Sequence, residues 1–476
     1  MEKNYIIISD LHLGYRAKNL SFEDYKSEVE KLDEHFNKFI NYYTSLCPKT
    51  PWELIINGDF IDFIQINYRI EAKDSDNYKL SLDEIKYGMN NKEMHIIWKL
   101  RKIAKIHEKI FRDIAEFINK GNYFVLIKGN HDVEFYWSGV KKELKNILAS
   151  FIDFKSNKEK ENFLNRIKIK DWIYYKKDLF YIEHGNQYDE YTSFNHFVTP
   201  LDVMNHKKIE MPYSHISMRY WVNLTKNIET HDLSDWTLKD FFSWLKIEGI
   251  KGIIMHVFYY FRALYMVLNN VKFSSMFDPY LHLKERYYIK KIARLYNILP
   301  KILFRINGFK RIPVGNTVYD VLSAFYIDGF IIFLNTVLFL VYSAYAMSFM
   351  KILFAFIMTL MFSTLIHLIF SYDRKIEPCE KIKNTAYEIS KILNAKYYIF
   401  AHTHHPEYEK LSKGKYYINS GSWILRSNKN IPKRFNYNLS HIVIKNGKAD
   451  LNLWKIKYDK PIEINEYIKK GGKYDL

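Results

Sequence analysis

Five short polar clusters in this sequence could do chemistry: Asp10-Leu11-His12, Gly58-Asp59, Gly129-Asn130-His131-Asp132, His184-Gly185 and His402-Thr403-His404. Carboxylate, amide oxygen and imidazole are the ligands that hard and borderline divalent cations take. Each cluster lies close behind a short apolar run, so each sits where a buried strand would end. Residues i and i+2 of a strand share a face, which would let Asp10 and His12 serve one ion together, and likewise His402 and His404. Glycines beside the ligands allow tight turns and a close backbone approach to a phosphate. A single histidine is ordinarily a core or surface residue. Five clusters repeating one strand-end context are a motif set.

The strands that must carry them are residues 5–8, 52–57, 123–127, 397–400 and 416–418. Residues 28–46 place Val29, Leu32, Phe36, Phe39, Ile40 and Tyr43 at helical spacing, and 94–118 reads as a second long helix. Residues 167–183 predict a hairpin turning at Lys176-Lys177-Asp178, and 441–456 another around Asn446-Gly447. Strands mixed with helices predict a layered α/β architecture.

The series resembles the calcineurin-like metallophosphoesterases, whose motifs run D-x-H, G-D, G-N-H-D/E, H and G-H-x-H, with Ala401 here in place of the last glycine. The resemblance covers residues 3–190 and 395–457 and implies a four-layered sandwich of two mixed sheets flanked by helices. It also implies a dinuclear site holding two divalent metal ions, Mn2+ foremost, with Fe, Zn or Mg as alternatives. One ion would be held by Asp10, His12, Asp59 and His404. The other would be held by Asp59, Asn130, His184 and His402, with Asp59 bridging. His131 would then be the catalytic acid or phosphoryl-binding group, oriented by Asp132. Asp62 and the Asn186-Gln187 pair are further candidates for hydrogen bonds near the metals. Asp10-Leu11-His12-Leu13, Gly58-Asp59-Phe60-Ile61-Asp62 and His184-Gly185 are also similar to the hydrolases that cleave the pyrophosphate of UDP-2,3-diacylglucosamine, which implies a lipid-linked substrate.

Between the matching halves the chain changes character. The 476 residues divide into a first catalytic part at 1–190, an insertion at 191–390 and a second catalytic part at 391–476. From Val271 to Arg311 ten basic residues stand against Asp278 and Glu285, and the whole chain carries a net charge of +18. Such an excess favours anionic partners: acidic headgroups, phosphorylated substrates or nucleic acid. No recognised nucleic-acid motif accompanies these charges. Residues 329–350 and 352–372 contain no Asp, Glu, Lys or Arg, and only Lys351 separates them. Each is long enough to cross a bilayer, whereas one straight helix through both would be about twice too long. A two-span hairpin turning near Lys351 is therefore expected. His184 and His402 must meet in one site, which demands an even number of crossings.

Basic residues flank the pair on both sides: Lys310 and Arg311 before; Arg374, Lys375, Lys381 and Lys383 after. By the positive-inside rule they put the catalytic domain on the cytoplasmic side of a cell membrane. Residues 250–268, aromatic-rich with Lys251, His256 and Arg262, suit the membrane interface. His196, His206, His215 and His231 are read as surface residues first and pocket-lining residues second, and His405 as pointing away from His404. Cys47 and Cys379 form no disulfide framework. The expected function is a membrane-anchored phosphoesterase acting on a phosphoester or pyrophosphate, with lipid-linked substrates foremost. The alternatives are a tethered phosphodiesterase for nucleotides or nucleic acid, and a non-catalytic membrane scaffold.

Overall fold

The computed structural model describes residues 3–14, 22–46, 49–65, 80–224, 238–274, 278–346, 348–371, 378–424 and 439–465. His231, Cys47, Arg374 and Lys375 lie outside them.

Four parallel strands come first: β1 (Asn4–Ile8), β2 (Trp52–Asn57), β3 (Tyr123–Ile127) and β4 (Ile167–Lys170). A hairpin of β5 (Tyr174–Lys176) and β6 (Phe180–Ile182) follows, and after the insertion β7 (Tyr397–Phe400), β8 (Glu407–Ser412) and β9 (Lys415–Asn419). The chain closes with β10 (Ser440–Lys445), β11 (Lys448–Lys455) and β12 (Lys460–Glu463), antiparallel neighbours in succession. One mixed sheet has the order β12-β11-β10-β1-β2-β3-β4 and the other β5-β6-β7-β9-β8.

Alternation along the strands builds the layers. Ile6, Ile8, Leu54, Ile56, Phe124 and Leu126 pack against helices Phe22–Leu46, Glu93–Ile106, Glu108–Asn119 and Ser138–Ala149. On the opposite faces Tyr5, Ile7, Ile55, Val125 and Ile127 meet Phe180, Ile182, Tyr397, Ile399 and Ile418 between the sheets. Tyr181, Tyr398, Phe400 and Tyr417 pack outward on helices Pro279–Leu295, Pro300–Asn307 and Pro378–Ile392. Two mixed sheets between helical layers are as the resemblance implied.

Several expectations need correction. The single helix over 94–118 is two, broken at His107 (φ −100°, ψ 39°). His107 faces Asp33 at 3.1 Å and accepts from the Gly14 amide, contacts that an uninterrupted helix would not aim. Residues 167–183 are not one hairpin: β4 extends the first sheet, and only β5–β6 turns near Lys177. The basic helix Pro279–Leu295 is part of the outer layer, with Leu281, Ile289 and Ala293 buried and Arg286, Lys290, Lys291 and Arg294 exposed. Lys381, one of the flanking bases, is buried and paired with Glu190.

Helices Ile327–Tyr345 and Phe349–Ser371 are each long and apolar enough to cross a membrane, and they are exposed along their length. They pack on each other, with Asn335 Nδ2 donating to Thr359 O at 3.2 Å and Ser363 Oγ at 3.1 Å. The first helix ends at Tyr345 and the second begins at Phe349, so Lys351 lies inside the second helix.

Candidate metal centre

The loops after β1, β2, β3, β6 and β7 leave from the carboxyl ends of parallel strands, the edge where α/β sheets place their ligands. Backbone bonds knit them together. Asp10 N donates to Gly58 O at 3.1 Å, His12 N to Asp59 O at 2.9 Å and Ala401 N to His184 O at 2.9 Å. Asn57 Nδ2 crosses between sheets to Glu183 O at 3.0 Å.

Strand alternation is not what brings the ligands together. β1 has ended at Ile8, and Asp10 and His12 stand in left-handed backbone with φ of 52° and 46°. Asp59 (52°), His402 (73°) and His404 (58°) do the same. L-residues avoid this region, at a cost of about 1–3 kcal/mol each where the surroundings enforce it. Five of the eleven non-glycine residues with positive φ among the described residues are candidate ligands.

Three groups of possible ligands result, Asp10–His12–His404, Asp59–His184–His402 and His12–Asp62–His131, each with its ligand atoms within 4.8 Å of one another, and the first two hold the nominated ligands. In the first, His404 Nε2 is 3.2 Å from Asp10 Oδ1 and 3.2 Å from His12 Nε2. In the second, His184 Nε2 is 3.3 Å from Asp59 Oδ2 and 3.1 Å from Asn130 Oδ1. Asp59 Oδ2 also lies 3.8 Å from His12 Nε2, so one carboxylate faces both groups. All seven residues that the motifs nominated are therefore brought together.

Hydrogen bonding fixes which nitrogens are presented. His184 Nδ1 is held by Asn57 O at 2.8 Å and His12 Nδ1 by Asp62 Oδ2 at 3.2 Å, leaving each Nε2 inward. This is how outer partners orient metal-binding imidazoles. Charge agrees. Burial would push Asp59 up, but His184, His131 and His12 hold it well below the usual carboxylate range. Burial would push His184 down, but Asp59 and Asp10 raise it to about 10. The carboxylates thus create a field that demands positive charge. Asp10 Oδ1 is buried against the His404 imidazole, and two imidazole nitrogens, His12 Nε2 and His404 Nε2, meet at 3.2 Å. Oxygen and nitrogen donors of this kind fit divalent cations.

His131, in the third group, stands beside the first two, its ring 4.5 Å from that of His12. Its expected partner needs correction. The Asp132 carboxylate is turned to backbone, accepting from Gly129 N at 2.6 Å and Phe60 N at 2.8 Å. The partner of His131 Nδ1 is Asp62 Oδ2 at 3.1 Å. Burial opposes charge on His131, yet Asp62 and Asp59 raise it to about 9.

Three further side chains were not singled out for the site. Asp189 Oδ2 and Thr192 Oγ1 each lie 3.1 Å from His402 Nε2. His215, read as a surface residue, is buried, and its Nε2 donates to Asn130 O at 3.0 Å. Burial and the neighbouring His131 push His215 down to about 3, so it stays neutral. Asp189 follows His184 closely, and that proximity was the one available signal. Nothing local in the sequence marks His215. His196 is half-buried on Glu285 and His206 exposed on Asp278, while His405 joins none of the three ligand groups. Asn186 bonds Thr192 O rather than a ligand.

No curated protein and no solved structure matches the chain. A family model described as calcineurin-like phosphoesterase matches residues 3–256, more than half of its length. The chain belongs to the calcineurin-like phosphoesterase family, whose members are metal-dependent phosphoester hydrolases.

Proposed function

We propose that this protein is a membrane-anchored phosphoesterase that hydrolyses a phosphoester or pyrophosphate bond of a lipid-linked substrate, using two divalent ions, Mn2+ foremost. The observation that carries the lipid reading is positional. The insertion with its two exposed apolar helices leaves the fold after β6 and returns to β7, neighbouring parallel strands whose ends bear His184 and His402. Its base therefore adjoins the metal centre, as a lipid-recruiting element should. Two crossings return the chain to the cytoplasmic side from which it left.

In this reading Asp10, His12, Asp59 and His404 hold one ion, and Asp59, Asn130, His184 and His402 the other. Bound there, such ions supply Lewis-acid polarisation of a phosphoryl group and activation of water. Asp62 pins Nδ1 of His131 and so offers its Nε2 to the leaving oxygen as proton donor. Asp132, bonded to two backbone amides, fixes the loop that carries Asn130 and His131. The Asp189 carboxylate orients His402.

A tethered phosphodiesterase for nucleotides or nucleic acid is the second reading, favoured by the exposed bases Arg286, Lys290, Lys291 and Arg294 on one outer helix. A hydrolysis screen of lipid-linked and soluble phosphoesters, each with Mn2+, Fe2+, Zn2+ and Mg2+, separates the two. Turnover of nucleotides with no lipid phosphoester cleaved would overturn the lipid reading.

A further inference from the structure

Helix Leu238–Ser274 is interrupted at Gly249 (φ 64°, ψ 177°), so a straight segment begins at Ile250. One face of it is buried. Ala263, Leu264 and Val267 pack with Ile216, Tyr220 and Val321, and His256 stacks edge-on against Trp221 at 5.4 Å. The other face is bare. Ile250, Ile254, Phe258 and Tyr265 are 80%, 62%, 53% and 61% exposed, and they recur at the three- and four-residue spacing of a single helical stripe. Soluble surfaces seldom leave a contiguous apolar patch of this kind unoccupied.

We infer that this stripe docks on the surface of a lipid bilayer, lying in the headgroup plane and holding the metal centre at headgroup depth. The inference rests on the membrane reading above and deepens it. Continuity selects lipid as the occupant. Phe261, half-buried on the same side of the helix, meets Phe330 of the apolar helix Ile327–Tyr345 at 5.2 Å, so the stripe runs into contact with the hairpin. Lys246 and Lys251 are exposed near its start, where acidic headgroups would neutralise them. Aromatic residues at the stripe suit the bilayer–water boundary.

The buried face carries the consequence inward. It presses on helix Tyr213–Tyr220, and His215 of that helix donates to Asn130 O in the metal-centre loop. Lipid surface, docking helix, bridging helix and metal loop are thus consecutive packed layers. A phosphate in a headgroup would meet the site without its lipid leaving the bilayer.

The test uses the full-length chain, with Cys47→Ser and Cys379→Ser, reconstituted in phosphatidylcholine–phosphatidylglycerol vesicles. Ile254→Cys and Phe258→Cys carry an environment-sensitive dye, and Lys448→Cys, at the exposed start of β11, is the control. Hydrolysis of bis-p-nitrophenyl phosphate with Mn2+ confirms that each labelled protein is folded. The expected result is a blue shift at 254 and 258, quenched more by nitroxide lipids labelled near the headgroup than by those labelled deep in the chain. The control should show neither effect. Water-like emission at 254 and 258 would overturn the inference. So would stronger quenching by the deep probe, which means a third span, or a blue shift independent of lipid quenchers, which means a protein partner. Alkaline extraction of the same vesicles tests the hairpin by itself. A protein washed off with its labels still in lipid would overturn the hairpin and uphold the docking helix.

Discussion

Asp59 Oδ2 faces His12 Nε2 at 3.8 Å and His184 Nε2 at 3.3 Å, so removing it takes a ligand from both groups. Asp59→Ala is expected to abolish hydrolysis and to lower bound metal from two ions per chain to one or none by elemental analysis. Two ions still bound would remove it from the bridging position. His131 is a different case: it groups with His12 and Asp62 but with neither of the two sets that hold the nominated ligands. His131→Ala should leave metal content unchanged and slow turnover by about 10²–10⁴-fold, the range for a lost proton donor. A substrate with a good leaving group should suffer less. The two neighbouring aspartates then separate by role. Asp62→Asn should slow turnover as well, whereas Asp132→Asn leaves a buried site facing two backbone N–H groups with one fewer acceptor. That change should cost stability by about 1–3 kcal/mol in denaturant titration. Equal kinetic effects from both would return Asp132 to the role of orienting His131.

Turns, more than strands, set the geometry at the next scale, and they were the least legible part of the sequence. The apolar runs announced β1, β2, β3 and β7, and the ligand types announced their ends. The turn at Asn446-Gly447 was legible too, since both residues take positive φ (52° and 73°) as that pair favours. The left-handed conformation of Asp10, His12, Asp59, His402 and His404 was not legible, because only tertiary contacts enforce a state that local preference opposes. Long-range pairs were equally hidden: Asp62 with His131, Asp189 with His402 and His215 with Asn130. The break at His107 belongs with them, since helical periodicity runs through it. Gly129 shows how tightly the turns are fitted. A Cβ there would lie 2.1 Å from Asp59 Oδ1 and 2.8 Å from the Asp59 amide nitrogen. Gly129→Ala must therefore displace either the loop or Asp59. We expect loss of metal and activity together in a protein that keeps its far-ultraviolet circular dichroism. Retention of full activity would mean that the loops yield more freely than their hydrogen bonds imply.

For the whole molecule, the fold and the hairpin place opposite demands on solvent. The catalytic layers bury their apolar strands completely, while Ile327–Tyr345 and Phe349–Ser371 expose theirs along their length. The contacts between these helices are partly polar: Asp328 meets His367 at 3.1 Å, and Asn335 bonds the facing helix. In the proposed bilayer setting, away from water, such pairs would hold the two helices in register. Asp328 is itself buried, so a deletion that spared it would leave a carboxylate without His367. Residues 327–371 should therefore be replaced as one unit by a short polar linker. Neither the candidate ligands nor Asp62 lies in that range, and the outer helices Pro279–Leu295 and Pro378–Ile392 keep their seats on the second sheet. The shortened chain should pellet with membranes at low salt through its bases and docking stripe, and wash off at high salt or alkaline pH. The full chain should resist both washes. Hydrolysis of bis-p-nitrophenyl phosphate should persist within about threefold, since no group placed in the proton-transfer or metal-holding roles is lost. If the shortened chain resisted the alkaline wash as the full chain does, the two helices would not be the anchor.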